Sequence, residues 1–559
     1  MVLPKIFYSK LANIHQAAFW LAFFSVVSAF LGLFRDRMFA AQFGASRELD
    51  IYYAAFRAPD MIYTATLFFA ASTVIIPVFL DAYRKDKSTA EELFGALFSL
   101  FCVVVVFLSV TAFALMPRII GLLLPGFSPS EQVIAVSMSR IMLFSPFFLG
   151  LSNIFSSITQ AFQRFFVYAL SAVFYNLGIL IGIFFFLPRL GIIGLAWGVA
   201  LGAVFHVGIQ TPTLLSLDLR PRFRILWDHR MRRIVMLSLP RSIGLTTTQI
   251  VISVITGIAS TLRVGSIAIF NFATNLQSIP VTLIGFSYSV AAFPSLTEAA
   301  AHKDKSNFQK YFSLAFRHII FWTIPFTVLL LVLRAQIVRV VLGSGQFNWS
   351  DTRLTAASLF LLSLTIVFQS LIMLLVRALY ADNETIRPVV INVLTAFVSV
   401  GAVFWFIRLL GNGSLAEQVL RWLMHLPVDT VPDIRMLSLS LGVVAGGFVN
   451  LIFLFFTFRA VFGWYPTRGS EGTIIRSVLA SICGGLIAYW ILAVGAKVFD
   501  IHTFLGIFAQ GFFAGICGIL SICGVLWVLK SEELVELYEG MRKLLWKDRI
   551  ATPEPEHLP

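Results

Sequence analysis

The sequence predicts an all-α polytopic membrane protein with about fourteen transmembrane helices, forming two pseudo-symmetric six-helix lobes and two C-terminal helices. Three observations lead to this fold class: the composition, the length of the apolar runs and an internal echo. Hydrophobic residues make up 58% of the 559 residues, and the mean hydropathy is +0.88. A soluble core of this size cannot bury that much apolar surface, so most of the chain must be solvated by lipid.

The apolar runs have the length of membrane-spanning helices, about 20 residues or more, and they are too long and too uniform for barrel strands. The four cysteines lie within these runs as small hydrophobes, so we expect neither disulfides nor a metal site. The predicted spans are residues 17–41, 50–80, 92–116, 132–160, 164–187, 191–216, 235–262, 266–296, 309–333, 352–381, 386–408, 436–460, 473–498 and 503–529.

Basic residues concentrate in the links that follow the even-numbered spans. Arg84, Lys85 and Lys87 follow the second span, and an arginine-rich link follows the sixth. The positive-inside rule therefore places both termini in the cytoplasm. The same placement accounts for the net charge of +14 without nucleic acid, because short basic loops face anionic lipid headgroups.

Two segments of the chain echo each other, PVFLDAYRKDKSTAEE and PSLTEAAAHKDKSNFQ. Each KDKS is predicted to open a helix through a capping box, Ser88 with Glu91 and Ser306 with Gln309. The two serines are 218 residues apart, and this offset carries span 2 onto span 8 and span 3 onto span 9. We therefore expect two parallel repeats, whose interface would hold a transport path.

The expected domains follow from this offset. Residues 1–220 form the first lobe, 221–465 the second, 466–530 the last two helices and 531–559 a cytoplasmic tail. The links on the side opposite the basic loops are mostly short, except for residues 409–435. That link predicts an external helix over 414–425 with Trp422 at the membrane interface, as a surface elaboration or as a partner-binding site.

Charged residues crowd into FRDRMFAAQFGASRELDIYY, residues 34–53, although only 13% of the chain is charged. A charge at the centre of a membrane helix costs about 2.5–3.5 kcal/mol, so it usually faces a cavity or a partner. Arg35 and Arg57 are candidates for lining such a cavity, together with Asp36 and Asp50. The alternative is that the arginines snorkel to the headgroups with the aspartates as counter-ions.

Arginine would suit a pyrophosphate in such a cavity, because its planar fork stays charged and donates paired hydrogen bonds. Arg241 at the start of span 7 and Arg140 in span 4 are further candidates. An ion pair or a snorkelled head group is the alternative for each, and it is the interpretation we favour for Arg377, Arg37 and Arg47.

The residues that carry a family resemblance are SAFLGLFRDRMFAAQFGASRELDIYYAAFRAPDMIYTATLFFAASTVIIPVF, NFATNLQSIPVTLIGFSYSVAAFPSL and RALYADNETIRPVVINVL. In their order and spacing they resemble the MurJ (MviN) lipid II flippases of the multidrug/oligosaccharidyl-lipid/polysaccharide exporter superfamily. The resemblance extends over nearly the whole chain.

The resemblance implies export of an undecaprenyl-pyrophosphate-linked peptidoglycan precursor across the bacterial cytoplasmic membrane. The head group would pass through a cationic cavity by alternating access, and the lipid tail would ride in a groove beside spans 13 and 14. The partners implied are this lipid-linked oligosaccharide, the bilayer and a coupling ion, with no cofactor and no ATP site. We expect a monomer that is not an enzyme, with a role in cell wall biogenesis and cell shape.

The chain departs from the family pattern at several cavity positions. Ala29 and Tyr63 stand where the family has arginine, and an Asp-Arg pair is replaced by Thr274 and Asn275. Arg35, Asp36 and Asp50 match the family pattern. Arg57, Arg241 and Arg263 would re-supply positive charge, although for Arg263, in the outer link between spans 7 and 8, we favour snorkelling to the headgroups. Asn275 and Gln277 would either hydrogen-bond a sugar or phosphate or hold helices together.

Three alternatives stay open from the sequence. One is a flippase for another lipid-linked glycan. Another is a multidrug or cation antiporter, which would need an unpaired carboxylate such as Asp50. The third is a membrane scaffold that does not transport. An enzyme is not expected, because His206 and the other histidines have no ligand or triad spacing.

Overall fold

The computed structural model describes residues 14–66, 72–162, 164–217, 219, 222–224, 227–411, 413–464, 467, 470–500 and 503–545. Within these ranges the side chains of 14–19, 21, 22, 72–74, 77, 165, 233, 237–245 and 540–545 are not described. The described part of the chain is almost entirely helical and contains no β-strand, as the sequence predicts.

The helices follow one another with short links. The first group is α1 (Ile14–Phe43), α2 (Arg47–Ala55), α3 (Arg57–Thr66), α4 (Ser72–Lys85), α5 (Lys87–Leu123), α6 (Pro129–Met142), α7 (Phe144–Ala161), α8 (Phe165–Ile181), α9 (Leu187–Leu190), α10 (Ile193–Gly208) and α11 (Thr211–Leu215). The second group is α12 (His229–Ser260), α13 (Ser266–Pro280), α14 (Ser287–Ala301), α15 (Lys305–Leu342), α16 (Trp349–Ser363), α17 (Thr365–Ala381) and α18 (Ile386–Leu409). The last group is α19 (Leu415–Met424), α20 (Leu437–Phe462), α21 (Glu471–Val498), α22 (Phe504–Val528) and α23 (Glu532–Leu545). Two π-helical stretches, Gly182–Phe186 and Val281–Phe286, continue α8 and α13.

Eleven helical stretches of the described chain are long and apolar enough to cross a membrane. They coincide with eleven of the predicted spans, so the chain is a multi-pass membrane protein. The exact count of fourteen is not confirmed. The other three predicted spans correspond to α1, to the broken series α2–α4 and to α12, in which only Thr246–Ser260 qualifies as a shorter apolar helix.

The chain divides into two compact units that differ from the predicted domains in composition. Unit 1 consists of Met1–Ile279, Val338–Thr365 and Asn383–Phe453, and unit 2 of Pro280–Ile337, Ile366–Asp382 and Leu454–Pro559. The division of the chain into lobes at residue 220 stays a prediction.

In unit 1, α8 packs on α1 and α10, and α12 packs on α3 and α18. The break between α2 and α3 at Phe56 has a local cause in Pro59, which lacks an amide N–H and so frees the carbonyl of Ala55. The buried hydroxyl of Ser139 on α6 donates to that carbonyl at 2.9 Å. This break makes Arg57 the first residue of α3.

In unit 2, α21 and α22 form a close pair, and α23 contacts α22. The buried carboxylate of Glu533 ties α23 to its neighbours by accepting hydrogen bonds from Thr473 at 2.5 Å and from Arg317 at 2.8 Å. The predicted tail from residue 531 therefore begins with a docked helix. Residues 546–559 lie outside the described part of the chain.

The two predicted capping boxes at the KDKS segments are wrong by two residues. Helices α5 and α15 begin at the second lysine of each segment, so Asp86 and Asp304 precede them. The backbone amide of Asn307 donates to Asp304 at 3.0 Å, and the hydroxyl of Ser88 donates to Asp86. Asp86 occupies the N-cap position of α5 without a side-chain hydrogen bond to the helix backbone, and the negative charge of both aspartates complements the helix dipole.

The helix predicted within residues 409–435 is present as α19, and its location on the external side stays a prediction. Ser414 caps it by accepting from the amide of Glu417 at 3.1 Å, and His425 ends it in the left-handed conformation, with φ of 55°. Trp422 is exposed, which agrees with the interfacial position expected for it.

Candidate functional site

A polar network in unit 1 joins three helices around Arg35. The Arg35 guanidinium donates to Oδ1 of Asp36 through Nε at 3.0 Å and Nη2 at 2.8 Å. Its Nη1 contacts the Asn176 amide oxygen on α8 at 3.4 Å, and Asn176 in turn donates to the Ser28 hydroxyl on α1 at 3.1 Å. The Asn275 amide on α13 donates to Oδ2 of Asp36 at 2.9 Å. Arg35, Asp36 and Asn275, three of the predicted site residues, therefore lie together, and their role in binding a substrate stays a prediction.

Arg57 is buried at the start of α3 with an incompletely satisfied guanidinium. Its Nη2 donates to the Asn271 amide oxygen on α13 at 3.0 Å, and Asn271 is held by its own donation to the Ile267 carbonyl at 2.7 Å. The Nε of Arg57 is buried without a hydrogen-bond partner. A buried charged donor left unpaired is costly, so this group is suited to receive an anionic ligand.

Tyr53 is a further polar group near the two arginines. It is a buried residue of α2, and its hydroxyl lies within electrostatic range of Asp36, Arg35 and Arg57. That hydroxyl has no hydrogen-bond partner in the described structure. Two guanidinium groups and an unpaired phenol donor therefore share one polar region, between the N-terminal helices and α13.

Asp50 binds backbone amides in the structure, whereas the sequence suggested that it lines a cavity. Its buried carboxylate accepts from the backbone amides of Gly265 at 2.7 Å and Ala268 at 2.9 Å. These amides belong to the unpaired N-terminus of α13, so Asp50 on α2 caps a helix more than 200 residues away. It is a fully engaged acceptor rather than a free carboxylate.

Two glycines, Gly265 and Gly345, allow segments of the backbone to come into close contact, and we call this pair the glycine seam. A Cβ on Gly265 would lie 2.2 Å from the carbonyl oxygen of Ala45, and one on Gly345 would lie 2.1 Å from that of Ala41. Both glycines have positive φ, 87° and 57°. The amide of Gln346 donates to the Ala41 carbonyl at 2.9 Å, so the seam is a backbone-to-backbone contact that only glycine permits.

The remaining site candidates have other environments. Gln277 is buried and its amide donates to Thr365 at 3.0 Å, which fits the helix-joining interpretation. Arg241 lies in α12, but its side chain is outside the described part. Tyr63, at a position where the family has arginine, accepts from the Asn153 amide at 2.8 Å.

The other arginines considered from the sequence lie in various surroundings. Arg37 donates to the Val340 carbonyl at 2.5 Å, and Arg47 lies 3.3 Å from Glu131. Arg377 stacks over Phe286 at 4.9 Å, and Arg263 contacts the Ser350 hydroxyl at 3.3 Å. Arg140 faces an apolar groove and not the Arg35 network.

Sequence reasoning missed three neutral members of the network, Asn176, Asn271 and Tyr53. The two asparagines lie in apolar membrane helices, where an amide is easily interpreted as a bond between helices, and Tyr53 lies in the short, charged helix α2. Their meaning depends on partners far away in sequence, 141 residues for Asn176 and 214 for Asn271. The local signal was the placement of an asparagine within a mainly apolar run.

Comparisons with known proteins agree on one family. A family model described as "Lipid II flippase MurJ" matches residues 39–509. The chain is 23% identical over 488 residues to "Lipid II flippase MurJ" of Burkholderia cenocepacia, covering 86% of this chain and 90% of that protein. It is 27% identical over 393 residues to "Probable lipid II flippase MurJ" of Buchnera aphidicola, covering 69% and 76% of the two chains.

Solved structures show the same fold. The structure "Lipid II flippase MurJ, inward closed conformation" superposes with a TM-score of 0.71 at 21% identity, covering 93% of this chain and 99% of that one. An inward-facing multidrug resistance MATE family transporter of the MOP superfamily superposes with a TM-score of 0.63 at 14% identity, covering 79% and 96%. The predicted superfamily fold is therefore confirmed.

Proposed function

This chain belongs to the MurJ family, and from that membership we propose that it moves lipid II across the bacterial cytoplasmic membrane. A shielded path is physically required, because the pyrophosphate and sugars of the substrate would lose their hydration in hydrocarbon. In keeping with a transporter family, we propose that the substrate crosses without chemical change. The role in peptidoglycan biosynthesis follows from this substrate.

The observation that carries the site assignment is the pair of guanidinium groups in unit 1. Arg57 has an unpaired buried Nε, and the Arg35 fork is fixed by Asp36 and Asn176. We propose that the substrate pyrophosphate binds these two arginines, with the Tyr53 hydroxyl as an additional donor. Asp36 pairs with Arg35, and the carboxylate of Asp60 interacts with Arg57 at longer range, so the pyrophosphate would compete with a carboxylate at each guanidinium.

The amide groups of the network have a supporting role in this proposal. Asn271 and Asn275 would hold Arg57 and Asp36 in place, and they would remain as hydrogen-bond partners when the anion arrives. Arg241 stays a proposed contributor of positive charge. Asp50 would act indirectly, by fixing the start of α13, from which both asparagines project.

Finer features of the transport cycle are also proposals. Both termini would lie in the cytoplasm, on the side of the basic links. The protein would work as a monomer of two lobes with helices 13 and 14 appended, driven by membrane potential or by a coupling ion.

Complementation of a bacterial strain depleted of its own lipid II flippase tests the function. We expect the wild-type chain to restore growth, and Arg57→Ala and Arg35→Ala to fail at equal membrane abundance. Arg189→Ala is the matched control, because Arg189 is exposed and, among the described residues, donates to the Phe185 carbonyl of the adjoining π-helical stretch. Failure of the wild type despite normal abundance would overturn the proposal, as would full rescue by both cavity variants.

The antiporter alternative is not favoured, because it needs a carboxylate free to bind a cation. Asp50, the carboxylate considered for that role, is occupied by two backbone amides. The likeness to the MATE transporter concerns the fold alone.

A further inference from the structure

An open groove on unit 1, about 410 Å³ in volume, lies between α5 and the α6–α7 pair. Its walls are almost entirely apolar and include Val106, Val110, Phe144 and Phe147. Val106, Val110 and Phe144 are well exposed in the folded chain. Since α5 and α6–α7 are membrane-spanning stretches, an exposed apolar groove between them is exposed to lipid.

One cation, Arg140, lines this otherwise apolar groove. Its position is fixed by Pro117 within α5, because proline has no amide N–H and so leaves the Phe113 carbonyl without its helical donor. The Nε of Arg140 donates to that carbonyl at 3.1 Å. The guanidinium also stacks over the Phe113 ring at 4.5 Å.

This arrangement leaves the outer edge of the guanidinium free. The two Nη groups of Arg140 have no partner among the described residues, although Nε is engaged. A second polar group in the groove is the Ser109 hydroxyl, which is buried without a hydrogen-bond partner. Ser109 lies one helical turn from Phe113, toward the middle of α5, which places it about 6 Å from the level of Arg140.

The depth of Arg140 matches a lipid headgroup. Helix α5 has 37 residues, so it is about 55 Å long and exceeds the hydrocarbon core of about 30 Å. Phe113 lies ten residues before its end, about 15 Å along the axis, which is close to the hydrocarbon boundary of a centred span.

We propose that this groove is a binding site for an anionic glycerophospholipid. The phosphodiester would bind the two free Nη groups of Arg140, whose planar fork suits a phosphate. One acyl chain would lie against Phe144 and Phe147. The site is separate from the Arg35 network, so it concerns the surrounding lipid and not the transported head group.

Native mass spectrometry of the delipidated full-length protein tests the proposal. Phosphatidylglycerol and phosphatidylcholine with the same acyl chains are titrated against wild type and Arg140→Gln. We expect the wild type to retain one phosphatidylglycerol in preference to phosphatidylcholine, and Arg140→Gln to bind it about tenfold more weakly, as for the loss of a charged hydrogen bond. Arg118→Gln is the matched control, since it removes an exposed arginine from the same end of α5 but outside the groove.

Two further variants test whether phosphatidylglycerol binding requires the groove and the position of Arg140 in addition to its charge. Pro117→Ala restores the amide donor to Phe113 and should weaken phosphatidylglycerol binding, although the charge and the groove remain. Val110→Trp fills the groove and should also weaken it. Equal retention by wild type and Arg140→Gln would overturn the proposal, as would equal binding of the two lipids. Displacement of phosphatidylglycerol by equimolar lipid II would assign the groove to the substrate and overturn it as well.

Discussion

The carboxylate of Asp50 accepts a hydrogen bond of 2.7 Å from the backbone amide of Gly265, which opens the turn into α13. A carboxylate from one part of the chain thus completes a helix from another. The capped helix carries Asn271 and Asn275, which hold Arg57 and Asp36. The candidate site is therefore positioned partly by a residue that does not line it.

Asp50→Asn should destabilise the protein, because a charged acceptor is replaced at a buried helix terminus. We expect a loss of about 1.5–3 kcal/mol in unfolding free energy, the usual worth of a hydrogen bond to a charged group. Hydrogen exchange at the amides of Gly265 and Ala268 would show the loss locally. Glu48→Gln on the exposed face of α2 is the control and should leave both amides protected; unchanged protection in Asp50→Asn would contradict the cap.

Arg57→Lys should reduce lipid II binding about tenfold, because a lysine keeps the charge but cannot present a planar fork from the same position. Asn271→Asp should reduce it at least as much, since a carboxylate there would neutralise Arg57. Titration of the purified variants with lipid II measures both effects. Binding equal to wild type in Asn271→Asp would show that Arg57 does not bind the anion.

The docking of α23 should depend on pH through Glu533. Burial alone would raise the pKa of Glu533. Hydrogen bonds from Thr473, Ser531 and Arg317 lower it by more than burial raises it, so that the pKa is about 2. Because this folded-state pKa lies below the ordinary 4.5, the carboxylate stabilises docking above about pH 4.5, and this contribution is lost as the pH falls toward 2. Lowering the pH from 7 to 3 should therefore make α23 more sensitive to protease.

Glu533→Gln should produce the same release at pH 7, where the wild-type helix stays docked. The control is Glu539→Gln, which alters an exposed glutamate on the same helix. Equal protease resistance of Glu533→Gln and wild type at pH 7 would count against this role of the carboxylate.

Arg421 should stabilise the folded conformation of the segment of residues 409–435. Its guanidinium donates to the carbonyls of Val431 at 2.6 Å and Pro432 at 2.7 Å, and it pairs with Glu417 at 2.8 Å. Arg421→Ala leaves the carbonyl of the buried residue Val431 unpaired, so proteolysis within 426–436 should become faster. Arg435→Ala, which removes an exposed ion pair in the same segment, should have little effect.

The membrane helices could be predicted because a bilayer demands long apolar runs, and eleven of those expected were found. The break inside the second predicted span was missed. A proline at position 59 is compatible with either a bent or a broken helix, and what distinguishes them is a distant hydroxyl, that of Ser139, on the freed carbonyl.

The charged residues of the candidate site could be selected from the sequence, whereas its neutral amides could not. Arg35 and Arg57 attract attention because a charge in a membrane helix needs an explanation. Asn176 and Asn271 attract none, because their partners become evident only when α8 and α13 are brought beside the N-terminal helices. Asp50 was selected for the right reason, its cost in lipid, but its partner is backbone rather than substrate.

The glycine seam makes one end of unit 1 sensitive to the addition of a single methyl group. At Gly345 the added carbon would have to displace the chain around Ala41 by more than an ångström to reach ordinary van der Waals distance. Gly345→Ala would thus act as a wedge that holds these segments apart without altering any charge. Comparing transport by Gly345→Ala with transport by the wild type would show whether the activity depends on the close contact of these two backbone segments.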